Sequence, residues 1–154
     1  MNDLQILSNH LEHSARVALG CWSDSSQSGY NGLAAFFLHE EGQRHKDALD
    51  IANHIADREH AMFGALPAPA NEYATCVDAA HAFVVSYEQN LQSAISARDS
   101  LIADSMNTYF INNFVEKMRY ELEQAKGVWQ RLRDTEKESL PELNRQLMTE
   151  YGRG

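Results

Sequence analysis

Apolar residues recur at spacings of three and four along most of this chain, the pattern of helices that bury one face. Leu4, Leu7, Leu11, Ala15, Ala18 and Trp22 mark a first helix. A second runs from Leu33 to about Asp57 or Arg58, with Ala34, Phe37, Ala48, Ala52 and Ile55 in one sector at about 100° per residue. That stripe is interrupted: Glu41 falls in the same sector, with Arg44 and His45 at its edges. A carboxylate, a guanidinium and an imidazole share a buried face only when they pair or hold a metal. A third helix starts near Thr75, where Thr75-x-x-Asp78 resembles a capping box, and carries Val77, Val84, Leu91, Ile95 and Leu101 or Ile102. The fourth carries Ile111, Phe114, Met118, Ala125, Val128 or Trp129, and Leu132. Ser139-x-x-Glu142, with Pro141 in its first turn, opens a short fifth helix to about Glu150. There is no strand alternation and no repeat of fixed period.

The connections set the topology. SDSSQSGYNG reads as a loop that ends in Asn31-Gly32, a cap for the second helix. Asp104 to Thr108 reads as a short turn, so helices one and two, and three and four, are antiparallel neighbours. Between helices two and three, Pro67 and Pro69 forbid a regular helix, and Met62, Phe63 and Leu66 are apolar enough to pack on the bundle. That stretch, taken as roughly a dozen residues, is long enough to run the height of the bundle. The expectation is an all-α single domain over residues 1–154: a four-helix bundle over about 3–134 with one long crossover, and a C-terminal helix over about 139–150.

Composition narrows the partners. The chain is 44% apolar and 23% charged, with a formal charge of −9, which disfavours nucleic acid held by bulk electrostatics. Two cysteines, Cys21 and Cys76, form no disulfide framework, so a cytoplasmic location is expected. No basic segment leads an apolar run at the N-terminus, and nothing approaches about 18 consecutive apolar residues, so no membrane partner is expected.

FINNFVEKMRYELEQAKGVWQRL (Phe110 to Leu132) resembles the fourth helix of ferritins, closest to bacterial non-haem members. SYEQNLQSAI (Ser86 to Ile95) is similar to the third, PAPANEY to the end of the crossover, and LPELNRQL (Leu140 to Leu147) to the terminal short helix. The resemblance implies a ferritin-like fold, a homo-oligomeric cage of 24 subunits and iron (Fe2+/Fe3+) as the metal handled. It also implies a di-iron ferroxidase centre inside the bundle. The family builds that centre from a Glu on the first helix, a Glu-x-x-His on the second, a Glu on the third and a Gln on the fourth.

Carried over residue by residue, the third-helix Glu falls on Glu88, the fourth-helix Gln on Met118, and an additional bacterial carboxylate on Glu121. The first-helix position falls on Asn9, with His10 or Ser14 in other registers; none is a carboxylate. On the second helix two registers stand. One puts Arg44 and Asp47 at the ligand positions and needs no insertion. The other aligns Glu40-Glu41…His45 and needs a π-bulge at Gly42. Tyr109 and Asn112 stand where ferritins place pore acids. Candidate metal residues are therefore Glu88, Glu121, Glu41, His45 and Asp47; Asn9, Arg44 and Met118 are replacements. Glu88 is read equally as a ligand or as the buried partner of Arg44. The expected function is an iron-storage cage subunit with an atypical or largely lost ferroxidase site. The alternative is a non-catalytic structural shell protein, co-assembling with an active subunit; a DNA-protecting mini-ferritin is the weakest reading. The apolar edges of LPELNRQLM lack an evident partner inside one bundle, which points to assembly.

Overall fold

A computed structural model describes residues 3–56, 68, 70–100 and 105–152, and these fall almost entirely into helices. They are α1 (Asp3–Gln27), α2 (Asn31–Ala56), α3 (Cys76–Ser100), α4 (Ser105–Asp134), a 3-10 turn (Lys137–Ser139) and α5 (Leu140–Tyr151). Met62, Phe63, Leu66, Pro67, Pro69, Leu101, Ile102 and Asp104 lie outside the described residues.

Side-chain contacts fix the direction of each helix. Ser8 Oγ donates to the carbonyl of Ala48, and Glu12 meets His45, so α1 and α2 are antiparallel. His10 meets Ser93, and Cys21 Sγ donates to the Ala79 carbonyl, so α1 and α3 are antiparallel too. Helices α2 and α3 therefore run the same way, and the chain must return between them. Residues 57–75 have to climb the height of a 26-residue helix, about 39 Å at 1.5 Å per residue.

The core is a continuous apolar cluster. Leu7, Leu11 and Ala18 of α1 meet Phe36, Phe37 and Ile51 of α2, Phe83 and Tyr87 of α3, and Ile111, Met118 and Val128 of α4. On α4 the buried stripe is the one its apolar spacing predicts. On α3 Val84 is buried as its spacing predicts, but the centre of the face is rotated: Ala80, Phe83, Tyr87, Asn90, Ala94 and Ala97 are buried, while Val77, Leu91 and Ile95 are only half-buried. The small alanines let α3 approach its neighbours, and Val77, Leu91 and Ile95 pack at the flank.

Three helix ends depart from expectation. Helix α1 continues through Ser23–Gln27, with Ser25 buried, and the loop shrinks to residues 28–30. Gly29, at φ +80°, ends it as a Schellman turn, its N–H donating to Ser26 O and that of Tyr30 to Ser25 O. Asn31 does not cap α2; the Gly32 and Leu33 amides donate to Asn144 Oδ1 of α5, at 2.6 and 3.3 Å. Ser139 makes no side-chain cap for α5, whereas Thr75 Oγ1 does accept from Asp78 N on α3, at 3.1 Å.

The apolar side of α5 does find a partner inside its own bundle. Leu143 and Leu147 are buried, and Tyr151 meets the Phe36 ring at 5.0 Å. At Gly32 any Cβ would collide with the main chain of Asn144, so glycine is what lets α5 sit against the start of α2.

Two substitutions test this junction by urea denaturation. Asn144→Ala is expected to cost about 1 kcal/mol, the usual loss of an N-terminal cap. Gly32→Ala is expected to cost more, because the methyl displaces α5 as well.

Candidate functional site

The inner stripe of α2 advances by steps of three and four: Leu33, Phe37, Glu40, Arg44, Asp47, Ile51 and Ile55, all buried. This spacing is that of an ordinary α-helix with one face turned to the core. It turns Glu40 and Asp47 inward with Arg44 and leaves Glu41 half-buried at the flank. Helix α2 is α-helical without interruption from Asn31 to Ala56, so no π-bulge forms at Gly42.

Arg44 is the largest of the fully buried side chains and occupies the middle of the bundle. Its guanidinium forms an ion pair with Glu121 of α4, lies 3.4 Å from Glu40 and 3.5 Å from Asp47, and stacks 4.3 Å from the centroid of the Tyr87 ring. Tyr87 donates its hydroxyl to Glu121 at 3.0 Å. Lys117 of α4 reaches in from the surface to donate to Asp47 at 2.6 Å, with Glu121 3.9 Å away. The cluster thus joins α2, α3 and α4 by charge rather than by apolar packing.

Two cations face three carboxylates, so full ionisation would leave one buried negative charge over. The group that relieves it is Glu40. Burial pushes its carboxyl up to about 7, against the pull of Arg44 and with the repulsion of Glu121 and Asp47. Asp47 is also raised, chiefly by burial, although Lys117 and Arg44 oppose the shift. Nearby His39 is lowered, first by burial and then by the charge of Arg44. Tyr87 is held neutral by burial, so its hydroxyl remains a donor.

The remaining candidates lie elsewhere. Glu88 is exposed and sits 3.6 Å from Lys126; the rotation of α3 puts Tyr87 inward in its place, so Glu88 is not the partner of Arg44. His45 is exposed and meets Glu12 at 2.9 Å, on the outer side of the α1–α2 pair. Asn9 is half-buried on α1, Met118 is fully buried, and Tyr109 is exposed. Ser14 does face inward, within a hydrogen-bond chain from Asn90 Nδ2 to Ser14 Oγ (2.7 Å) and on to Ser86 Oγ (3.0 Å). Of the residues singled out from sequence, Arg44, Asp47 and Glu121 come together, with Glu40 from the other register. Tyr87 and Lys117 complete the group. Lys117 lies four residues from Glu121, a spacing that could have found it.

Iron in the bundle would need carboxylates free to converge on a common point. Here they are turned to a guanidinium and an ammonium, and those two charges oppose a further cation. Among the described residues no group of three or more His, Cys, Asp or Glu side chains is disposed to hold a metal ion. The residues at the bundle centre do not fit a di-iron site.

No family model and no curated protein matches this sequence. Solved structures do match it. An open-pore ferritin from the archaeon Archaeoglobus fulgidus aligns with a TM-score of 0.88 at 16% identity, covering 94% of this chain and 92% of its own. An iron-soaked variant of the ferritin PmFTN aligns with a TM-score of 0.87 at 17% identity, covering 92% and 94%. A second iron-soaked variant of that protein gives 0.85 at 18% identity, covering 92% and 96%. The chain has the ferritin fold: four long helices with a crossover between the second and third, and a short fifth.

Two measurements test the buried cluster. Arg44→Met strands three inward carboxylates and is expected to cost about 3–5 kcal/mol in urea denaturation. Glu40 has a higher pKa folded than its usual 4.5. Its contribution to stability is therefore full below pH 4.5 and is lost as pH rises through about 7. The slope of stability against pH in that window is expected to approach about −1.4 kcal/mol per unit. Glu40→Gln is expected to flatten it and to be the more stable protein at pH 8.

Proposed function

We propose that this chain is a non-catalytic structural subunit of a ferritin-type shell. Arg44 carries the reading: a permanently charged guanidinium, fully buried and held by Glu40, Asp47, Glu121 and the Tyr87 ring, stands at the bundle centre. A subunit that oxidised Fe(II) at that place would need open positions for metal and oxidant. Ion pairs instead tie three helices together, a structural use of the same space.

The iron-storage role then belongs to the assembly. The subunit contributes wall, and iron is cargo oxidised elsewhere, on a co-assembled active subunit or in solution. An altered iron site made from Glu88, Glu121, Glu41, His45 and Asp47 is less well supported, because these groups do not converge. A shell of 24 copies in the cytoplasm follows from the resemblance of sequence and fold. The free thiols of Cys21 and Cys76 suit a reducing compartment. Burial pushes the Cys21 thiol up to about 12, so it stays unreactive. No described helix is long and apolar enough to cross a membrane.

Stopped-flow absorbance with a low load of Fe(II) is the direct test. The expected rate equals that of buffer. Fast oxidation that disappears in Glu121→Ala would overturn the non-catalytic reading. Electron microscopy of the purified protein is expected to show hollow shells; a monomer or a discrete small oligomer would contradict the assembly.

A further inference from the structure

Asn31-Gly32 is the one Asn-Gly pair in the chain, and it stands where α2 begins. This dipeptide carries a latent reaction. The amide nitrogen of Gly32 can attack the side-chain carbonyl carbon of Asn31, because glycine has no Cβ to obstruct the approach. The new N–C bond closes a five-membered succinimide. The Asn31 side-chain nitrogen leaves as ammonia, with the proton that the Gly32 nitrogen gives up. Water then opens the ring. Cleavage of the new bond leaves aspartate; cleavage of the original peptide bond leaves isoaspartate, in which the main chain runs through the former side chain. The reaction needs only water and freedom for Gly32 to turn.

The structure supplies the first and withholds the second. Asn31 is exposed, whereas Gly32 is buried. The Gly32 N–H donates to Asn144 Oδ1 of α5 at 2.6 Å, and the next amide, Leu33 N–H, donates to the same oxygen at 3.3 Å. The Ala34 amide donates to Tyr30 O at 2.9 Å, which holds the Asn31–Gly32 peptide in the first helical turn. On its other side Gly32 lies so close to the main chain of Asn144 and Met148 that not even a methyl group would fit. To reach the Asn31 carbonyl, the Gly32 nitrogen must leave its hydrogen bond and rotate, with α5 packed against it.

We propose that Asn31 is a deamidation site and that Asn144 keeps it unreacted, so that each lifting of α5 from α2 exposes the junction to an irreversible change. Isoaspartate at this position puts an extra main-chain atom ahead of Gly32. That shifts the Gly32 and Leu33 amides off the Asn144 oxygen and denies α5 its seat. The side chain that caps α2 from a distance is then also the guard of the peptide bond it caps. The chemistry belongs to a single chain and holds whether or not copies assemble.

Peptide mapping by mass spectrometry tests this on the full chain aged in mildly alkaline buffer. It reads the mass gain of an NH2-to-OH exchange at Asn31, and enzymatic methylation identifies isoaspartate. The chain unfolded in urea gives the unguarded rate; the folded protein is expected to react at least about tenfold more slowly, through local opening. Loss of the Asn144 cap raises that opening about fivefold. Asn144→Ala, with circular dichroism confirming its helix content, is therefore expected to deamidate at Asn31 about fivefold faster, while exposed Asn71 keeps its rate. Asn144→Asp retains an acceptor oxygen and is expected to react no faster than the starting protein.

A folded chain that reacts as fast as the unfolded one would overturn the proposal. So would an Asn144→Ala protein no faster than the starting one, or an Asn144→Asp protein as fast as Asn144→Ala. Hydrogen exchange reads the consequence: the isoaspartate-bearing fraction is expected to exchange the Leu143 and Leu147 amides of α5 faster than the unaged protein. Equal exchange would refute the loss of the α5 seat.

Discussion

The fold turns on one buried guanidinium. Arg44 cannot lose its proton and, at the centre of the bundle, has no water to solvate it, so the helices around it must supply the compensating charge. Glu40 and Asp47 come from its own helix and Glu121 from α4, while Tyr87 of α3 supplies a π face and a hydroxyl for Glu121. Lys117 then answers the surplus carboxylate from the surface. Removing Arg44 would strand its carboxylates in low dielectric, whereas Glu40 is the group whose charge the cluster gives up, by taking a proton. Apolar packing alone would tolerate small shifts of α2 against α4. An ion-pair cluster with named partners on both helices does not.

That requirement also shapes what the site can do. A carboxylate cage round a metal and a carboxylate cage round a guanidinium use similar donors for opposite purposes. The first keeps positions open for substrate, and the second closes them with a covalently tethered cation. Glu40 completes the neutralisation by taking up a proton where a metal site would use its charge. The ferritin fold shared with the archaeal and PmFTN structures therefore coexists here with a centre of different chemistry. Architecture at 16–18% identity survives because it rests on helix lengths, the crossover and the apolar stripes, none of which demands a particular ligand.

Much of the architecture was legible along the chain. The stripe from Ile111 to Leu132 contains Glu121 at the right phase, and its apolar members are buried as spaced. The capping box at Thr75 forms half of its expected hydrogen bonds. Helix α3 was only partly read because its buried side, besides Phe83 and Val84, is made of alanine, tyrosine and asparagine, while Val77, Leu91 and Ile95 lie on the flank. That rotation put Glu88 outside and Tyr87 inside. On α2 the sector chosen from the sequence was centred towards Ala34, Ala48 and Ala52, which selected Glu41 and His45. The buried face is centred on Leu33, Arg44 and Ile51, which turns Glu40 and Asp47 inward.

Local order, then, was written into the chain: which stretches are helical, how many there are, and that one connection must be long. Those features follow from spacing and from turn residues, which act between near neighbours. What belonged to the folded molecule was the pairing of groups far apart in sequence. Asn144 caps a helix that starts more than a hundred residues earlier, and Arg44 finds Glu121 on another element. Such partners are set by the rotation of each helix about its own axis. That rotation is a compromise among all the faces packing at once, so no single stretch of sequence contains it.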